Sequence, residues 1–320
     1  MYNPVMVDTA NTTTVSLMSE TAQKSGNYII DLYNAMNIWV DKPLPYGPFH
    51  LKALVTILLL TVALSYLFRN SRARTIRLVM LFFWLVMVVS EVAEQFVRSS
   101  ALVDGVLVFD YRWHTFPFQL CATGIWVLPI IIPMKDCRLR DALMMYMSLY
   151  SLFGGLLVCF VPTTVFSTAL ISNVHTMLQH GSQIIVGVLL MVNNRKKLDM
   201  RNFLGAVGVF LVLCSMAIAF NEVFYTVMAA YGQNEKINMF YFSPYYNNGM
   251  PFIGKVYEMV PWEIYVSLYI TVFTLIVLLI YSVAILSCHV ADRIRAKLAA
   301  RKLGGENVQE EREPDSVAAD

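Results

Sequence analysis

Three glutamates, two histidines, a cysteine and several carboxamides fall inside apolar stretches of this 320-residue chain. Glu91 and Glu94 share one stretch, and Gln119 and Cys121 follow His114 in the next. His175, Gln179, His180 and Gln183 lie in a third, Asn221 and Glu222 in a fourth. An ionisable group in hydrocarbon is expensive, so such groups mark function before they mark packing. Their spacing strengthens this. Glu91 and Glu94 are i,i+3, His175 and Gln179 are i,i+4, and His180 and Gln183 are i,i+3, which puts a polar stripe on each helix. At about 1.5 Å per residue, Glu91, His180 and Glu222 sit roughly 9 Å below one end of their helices, and Cys121 roughly 6 Å below its own. Helix-packing glue is the simpler explanation, but two carboxylates, two histidines and a thiol exceed what glue needs.

Three chemistries suit this set. A cysteine deprotonated by a histidine at matched depth is a nucleophile for acyl transfer. If Pro117 opens the third span, Cys121 lies near the positive end of that helix. In such a site His180 is the base, Glu91 or Glu94 orients an imidazole, and Gln119 or Asn221 donates to the oxyanion. Alternatively, His114, His175, His180 and a glutamate hold Zn²⁺ and activate water. Outside enzymology, the same groups relay protons or bind a solute in a transporter or sensor. Cys159 and Cys214 read as inert core residues, and His50 and His289 sit at span ends with no role assigned.

The elements that position these residues are membrane spans. With 57% of residues hydrophobic and 14% charged, a soluble globular enzyme is excluded. Lys and Arg number 24 against 22 Asp and Glu, without a basic block, which leaves a nucleic-acid partner no electrostatic support. Apolar windows of about 20 residues fall near 50–68, 76–97, 117–133, 141–161, 174–192, 203–228 and 262–287. The expected fold class is therefore all-α: a polytopic membrane protein built as a seven-transmembrane-helix bundle, with no strand alternation competing. Pro162 closes the fourth span and Asn173 caps the fifth. The linkers around 69–77, 135–140, 195–201 and 293–312 carry 17 of the 24 Lys and Arg. By the positive-inside rule the N-terminus is then outside and the C-terminus cytoplasmic.

Three parts are expected. Residues 1–46 form an outer N-terminal segment, with Tyr28, Ile29, Leu32, Tyr33, Met36 and Trp39 spaced as an interfacial helix. Residues 47–288 are the seven-helix membrane domain, whose first span serves as the targeting element because residues 1–26 are polar. Residues 289–320 are a cytoplasmic basic helix and, after Gly304-Gly305, a disordered acidic tail. Asn11-Thr12-Thr13 matches a glycosylation sequon. The aromatic-rich loop from Tyr231 to Pro261 reads either as a lid over the polar site or as an interfacial belt. The five cysteines form no disulfide framework, and no cofactor is implied.

The string His114-Thr115-Phe116-Pro117-Phe118-Gln119-Leu120-Cys121 resembles the HLPLHLC signature of the YwaF-type family of bacterial integral membrane proteins. A eukaryotic relative of that family is a multispanning acyltransferase of ether phospholipids. Gln179-His180-Gly181 is similar to the family's SHG, and Asn221 followed by Asn238-Met239-Phe240-Tyr241 and Pro244 to its N…NYMYL…P region. The resemblance implies a multi-pass protein of the bacterial cell membrane that acts on a phospholipid or other lipid ester. It also implies a catalytic pair at Cys121 and His180 working through a thioester. Two family histidines are replaced here, by Gln119 and Thr115, with His114 displaced by one position.

Overall fold

The computed structural model describes residues 27–162, 165–232, 235–246 and 253–310. It is mostly helical. In chain order the helices are α1 (Tyr28–Met36), α2 (Pro48–Leu67), α3 (Ala73–Ser99), α4 (Thr123–Ile131), α5 (Arg138–Tyr146), α6 (Leu152–Phe160), α7 (Leu170–Asn193), α8 (Met200–Ala230), α9 (Ile253–Met259) and α10 (Trp262–Glu310). A π-helical turn, Met147–Ser151, joins α5 to α6 in one rod.

Each of the seven apolar windows is helical, but they are not equivalent. Five helices are long and apolar enough to cross a membrane: α2, α3, the α5–α6 rod Arg138–Phe160, α8 and the first part of α10. The expected third span shrinks to an apolar stretch, Leu120–Ile131, too short to cross alone. The expected fifth, α7, is long enough, but its polar stripe holds it outside that set. Its neighbours explain how it is accommodated. It packs against α2, α3 and α6, so its carboxamides and imidazoles turn toward protein. Around this core the outward faces of α2, α3, α8 and α10 expose leucines, valines and isoleucines, as expected of surfaces that meet lipid tails.

Close approach of α6 to α7 depends on missing side chains. A Cβ placed at Gly155 would lie 2.8 Å from the His180 carbonyl oxygen, and one at Gly154 would lie 3.5 Å from Cys121 Cα. Gly155 therefore lets α6 touch α7, while Gly154 sits at ordinary contact distance from the Cys121 turn.

Four local expectations are corrected. Contrary to the strand-free reading, Ser100–Val103 (β1) pairs antiparallel with Val106–Phe109 (β2). Asp104 and Gly105 turn between them with φ of 50° and 77°, as a tight two-residue hairpin requires. Pro117 opens no helix: the chain runs from a 3₁₀ turn at Trp113–Thr115 to another at Leu120–Ala122 before α4 begins. Asn173 is not the cap of α7, whose N-cap is Ala169. Its side chain instead accepts from Ser167 N and donates to Ser167 O, fastening the preceding loop. Finally, Phe240 and Phe242 are fully buried within the bundle, where a surface belt would leave them exposed.

At the two ends, α1 is helical, with Asn27 Oδ1 accepting from Ile29 N, and Tyr33 packs edge-on against Phe96 at 6.2 Å. Trp39 lies beyond it, bridged to Ala169. Helix α10 continues through Gly304–Gly305 to Glu310. The sequon and the end of the acidic tail lie outside the described residues.

If the α6–α7 contact is as tight as this, Gly155→Ala should cost about 1–3 kcal/mol of stability by overpacking. Gly208→Ala, with open space around it, should be close to neutral. Thermal unfolding of the two variants in one detergent checks the contrast.

Candidate functional site

The polar residues sort into three groups. The first joins α3 to α7. Glu91 Oε2 lies 3.3 Å from His175 Nε2, and Glu91 Oε1 accepts from Gln95 at 2.7 Å. Glu94 Oε1 accepts from Arg98 and from Ser172 Oγ, both at 3.1 Å. The relative exposures of Glu91 and Glu94 are 8% and 6%. One ligand atom from each of Glu91, Glu94 and His175 falls within 4.8 Å of the others, so these three could hold a metal ion. Neither His114 nor His180 is in that set, which corrects the expected four-residue zinc site. His114 is exposed and paired with Glu235 at 3.3 Å.

The second group surrounds Cys121. This residue lies in the 3₁₀ turn ahead of α4, half-buried, and Gln179 Nε2 donates to its carbonyl at 3.3 Å. One residue on, His180 Nδ1 lies 2.7 Å from Thr176 O. A carbonyl only accepts, so Nδ1 carries the proton and the neutral ring presents Nε2 as a lone pair. That Nε2 is buried with no hydrogen-bond partner among the described residues. The same is true of Gln179 Oε1, both polar atoms of Gln183, and Ser151 Oγ in the π-helical turn. Buried polar atoms are almost always paired, so five open atoms on α7 and the π-helical turn packed against it are a concentration of unused hydrogen-bonding capacity. Gly154 borders Cys121, and Gly155 borders both His180 and Gln183.

The third group is structural. Asn221 Nδ2 donates to Met239 O at 3.0 Å, and Asn221 Oδ1 accepts from Met239 N at 2.6 Å. Gln119 Nε2 donates to Asn238 O at 2.7 Å. Each amide thereby spends one of its two N–H groups on a buried loop. Glu222, one residue from Asn221, is exposed and accepts from Tyr245 Oη at 2.6 Å. The expected convergence of four helices is thus split: α3 with α7, the Cys121 turn with α7 and α6, and α8 with the loop.

The glutamate expected to orient the base pairs with His175, while Thr176 O orients His180. His50 is a satisfied core histidine: it accepts from Tyr46 N and meets Cys159 O at 2.9 Å. Gln183 and Ser151 add open polar atoms beyond the site residues expected from sequence. Gln183 carried the i,i+3 signal with His180, whereas a serine in an apolar rod carries none. All five cysteines are free.

Residues 45–281 match the TMEM164 family. No curated protein matches, and no solved structure does.

Removing the Asn221 amide would leave Met239 N–H and C=O buried and unpaired. Asn221→Ala should therefore cost about 2–3 kcal/mol, while Glu222→Gln at the neighbouring exposed position should cost far less. Hydrogen exchange at Met239 together with thermal melts reads both.

Proposed function

Because the chain belongs to the TMEM164 family, a family of transmembrane proteins, we propose that it is a membrane-embedded lipid acyltransferase or lipid hydrolase with Cys121 as nucleophile and His180 as base. The observation that carries this reading is His180 Nε2, a buried and unpartnered ring nitrogen on α7, next in sequence to Gln179, whose amide donates to the Cys121 carbonyl. In the first half-reaction Nε2 takes the thiol proton while Sγ attacks the ester carbonyl of a lipid. Collapse of the tetrahedral adduct breaks the C–O bond, and the departing lyso-lipid oxygen takes that proton from the imidazolium. Left behind is a thioester on Cys121. In the second half, Nε2 deprotonates a hydroxyl of an acceptor lipid or water, which attacks the thioester and releases the thiolate to recover the proton.

Gln183 joins Gln119 and Asn221 as an oxyanion donor in this reading, since its amide nitrogen is buried with no partner among the described residues. A groove of about 810 Å³ along α4, α5 and α8, lined by Phe116, Trp126, Ile130, Leu143, Val209 and Phe220, offers an acyl chain an apolar bed. With the N-terminus outside, as the Lys and Arg distribution favours, the site opens toward the outer half of the bilayer.

A second reading, a metal-dependent hydrolase, is favoured by the Glu91, Glu94 and His175 group. A third, proton or solute transport, draws on the same buried carboxylates.

Covalent labelling of purified protein with a lipid-tailed acyl donor separates these. Labelling should be absent in Cys121→Ala, fall at least about tenfold in His180→Ala, as expected on losing a general base, and ignore chelator. An unreactive Cys121 with chelator-sensitive phospholipid turnover moves the assignment to the metal group. Neither labelling nor turnover would remove the enzymatic reading.

A further inference from the structure

A small cavity, of about 240 Å³, lies where α7 ends, between the 3₁₀ turn Arg195–Lys197 and the stretch of α10 that carries Ile285, His289 and Asp292. This is the end of the bundle at which the Lys- and Arg-rich linkers gather. Arg195 follows His180 by 15 residues, which puts the cavity about 20 Å along α7 from the Cys121 group. The two sites are therefore separate.

Its lining carries more positive than negative charge. Arg195 Nη1 lies 2.8 Å from Asp292 Oδ1, which ties the guanidinium to α10 and leaves Nη2 and Nε outside that pair. Lys196 is exposed beside it, and among the described residues no carboxylate lies within ion-pair distance of its ammonium. Two cations against one carboxylate leave a single positive charge in excess, which matches the single negative charge of a phosphodiester. A zwitterionic head group would bring its ammonium against Lys196. The second charge of a phosphomonoester would meet Asp292. Leu198 and Ile285 supply an apolar part of the lining. Next to it, toward the middle of the span, α10 exposes Leu279, Val283 and Leu286, one stripe at i, i+4 and i+7. A phosphate in the cavity thus has an apolar track beside it for attached chains, and basic pockets between membrane helices are known receptors for anionic head groups.

We infer that this cavity binds the phosphodiester of an anionic phospholipid whose head is an uncharged polyol, of the phosphatidylglycerol or phosphatidylinositol type. Lys196 and the outer nitrogens of Arg195 take the phosphate oxygens, and His289 offers a ring N–H to the polyol. The Arg195 to Asp292 pair already bridges the end of α7 to α10, and the bound lipid extends that bridge without displacing it. It is a clamp on the helix that carries the candidate site, not a substrate, and it stands whether or not Cys121 is a nucleophile.

The test uses full-length protein in neutral detergent, titrated with dioleoylphosphatidylglycerol while native mass spectrometry counts bound lipid and thermal unfolding is followed. Saturable binding of a first lipid and a higher melting temperature are expected. Lys196→Gln should weaken that binding about tenfold, as expected for one charge-assisted contact, and Lys196→Arg should keep it. Without lipid, Lys196→Gln should melt with the parent, because the side chain is exposed. Arg201→Gln removes an exposed charge at the same end but outside the cavity lining, and should leave binding unchanged. Asp292→Asn should move the preference toward dioleoylphosphatidic acid. Unchanged binding in Lys196→Gln overturns the proposal, as does equal affinity for dioleoylphosphatidylcholine. Equal weakening by Lys196→Gln and Arg201→Gln overturns it in favour of general attraction to a basic surface. Inorganic phosphate that displaces the lipid and reproduces its stabilisation overturns it in favour of a free-phosphate site.

Discussion

Everything in this molecule depends on keeping α7 away from hydrocarbon. A helix that carries Asn173, His175, Gln179, His180 and Gln183 cannot face lipid tails without paying for each unsatisfied group. It is sheathed by α2, α3 and α6, and the fit to α6 is set by Gly155, where a side chain would collide with the His180 carbonyl of α7. The outer helices are then free to be plain apolar spans. Buried polar groups are concentrated on the inner one because its neighbours shield them from lipid.

The arrangement around the Cys121 turn shows how much of that capacity remains open. Along the α3 side, carboxylates and imidazole are matched: Glu91 to His175 and Gln95, Glu94 to Arg98 and Ser172. On the Cys121 side, the Gln179, His180, Gln183 and Ser151 side chains keep unpaired atoms in a buried setting. A closed network rigidifies; an open one is ready for a guest. Irregular backbone marks the same place, with a 3₁₀ turn at Leu120–Ala122 and a π-helical turn at Met147–Ser151 on the two sides of the Gly154 contact. Such turns break the helical hydrogen-bond register where a continuous helix would have nothing left to offer.

Hydropathy and punctuation made the helices legible in the sequence, because apolar length and Pro162 act locally. What depended on rotation about a helix axis was not legible. Asn221 and Glu222 are neighbours about 100° apart around α8, and nothing in their types tells that one faces the bundle and the other solvent. Pro117 misled because proline suits a helix start and an extended loop equally. The hairpin is legible: Asp104-Gly105 between Leu-Val and Val-Leu-Val is a strong local signal. The pairing of Glu91 with His175 rather than His180 required knowing that i and i+5 on α7 face different neighbours.

The aromatic segment Asn238–Ser243 has a further consequence, in terms of populations. Phe240 and Tyr241 hold φ of 54° and 60°, a left-handed conformation that bulky residues resist. Six hydrogen bonds from outside the segment keep it there: from Gln119, two with Asn221, and from Tyr257, Trp262 and Tyr265. At about 1 kcal/mol each, releasing them together costs about 6 kcal/mol, which leaves on the order of one molecule in ten thousand open at a time. A segment so rarely open is a wall, not a door. The left-handed pair at Phe240 and Tyr241 is thus part of the fixed framework that Gln119 and Asn221 hold in place.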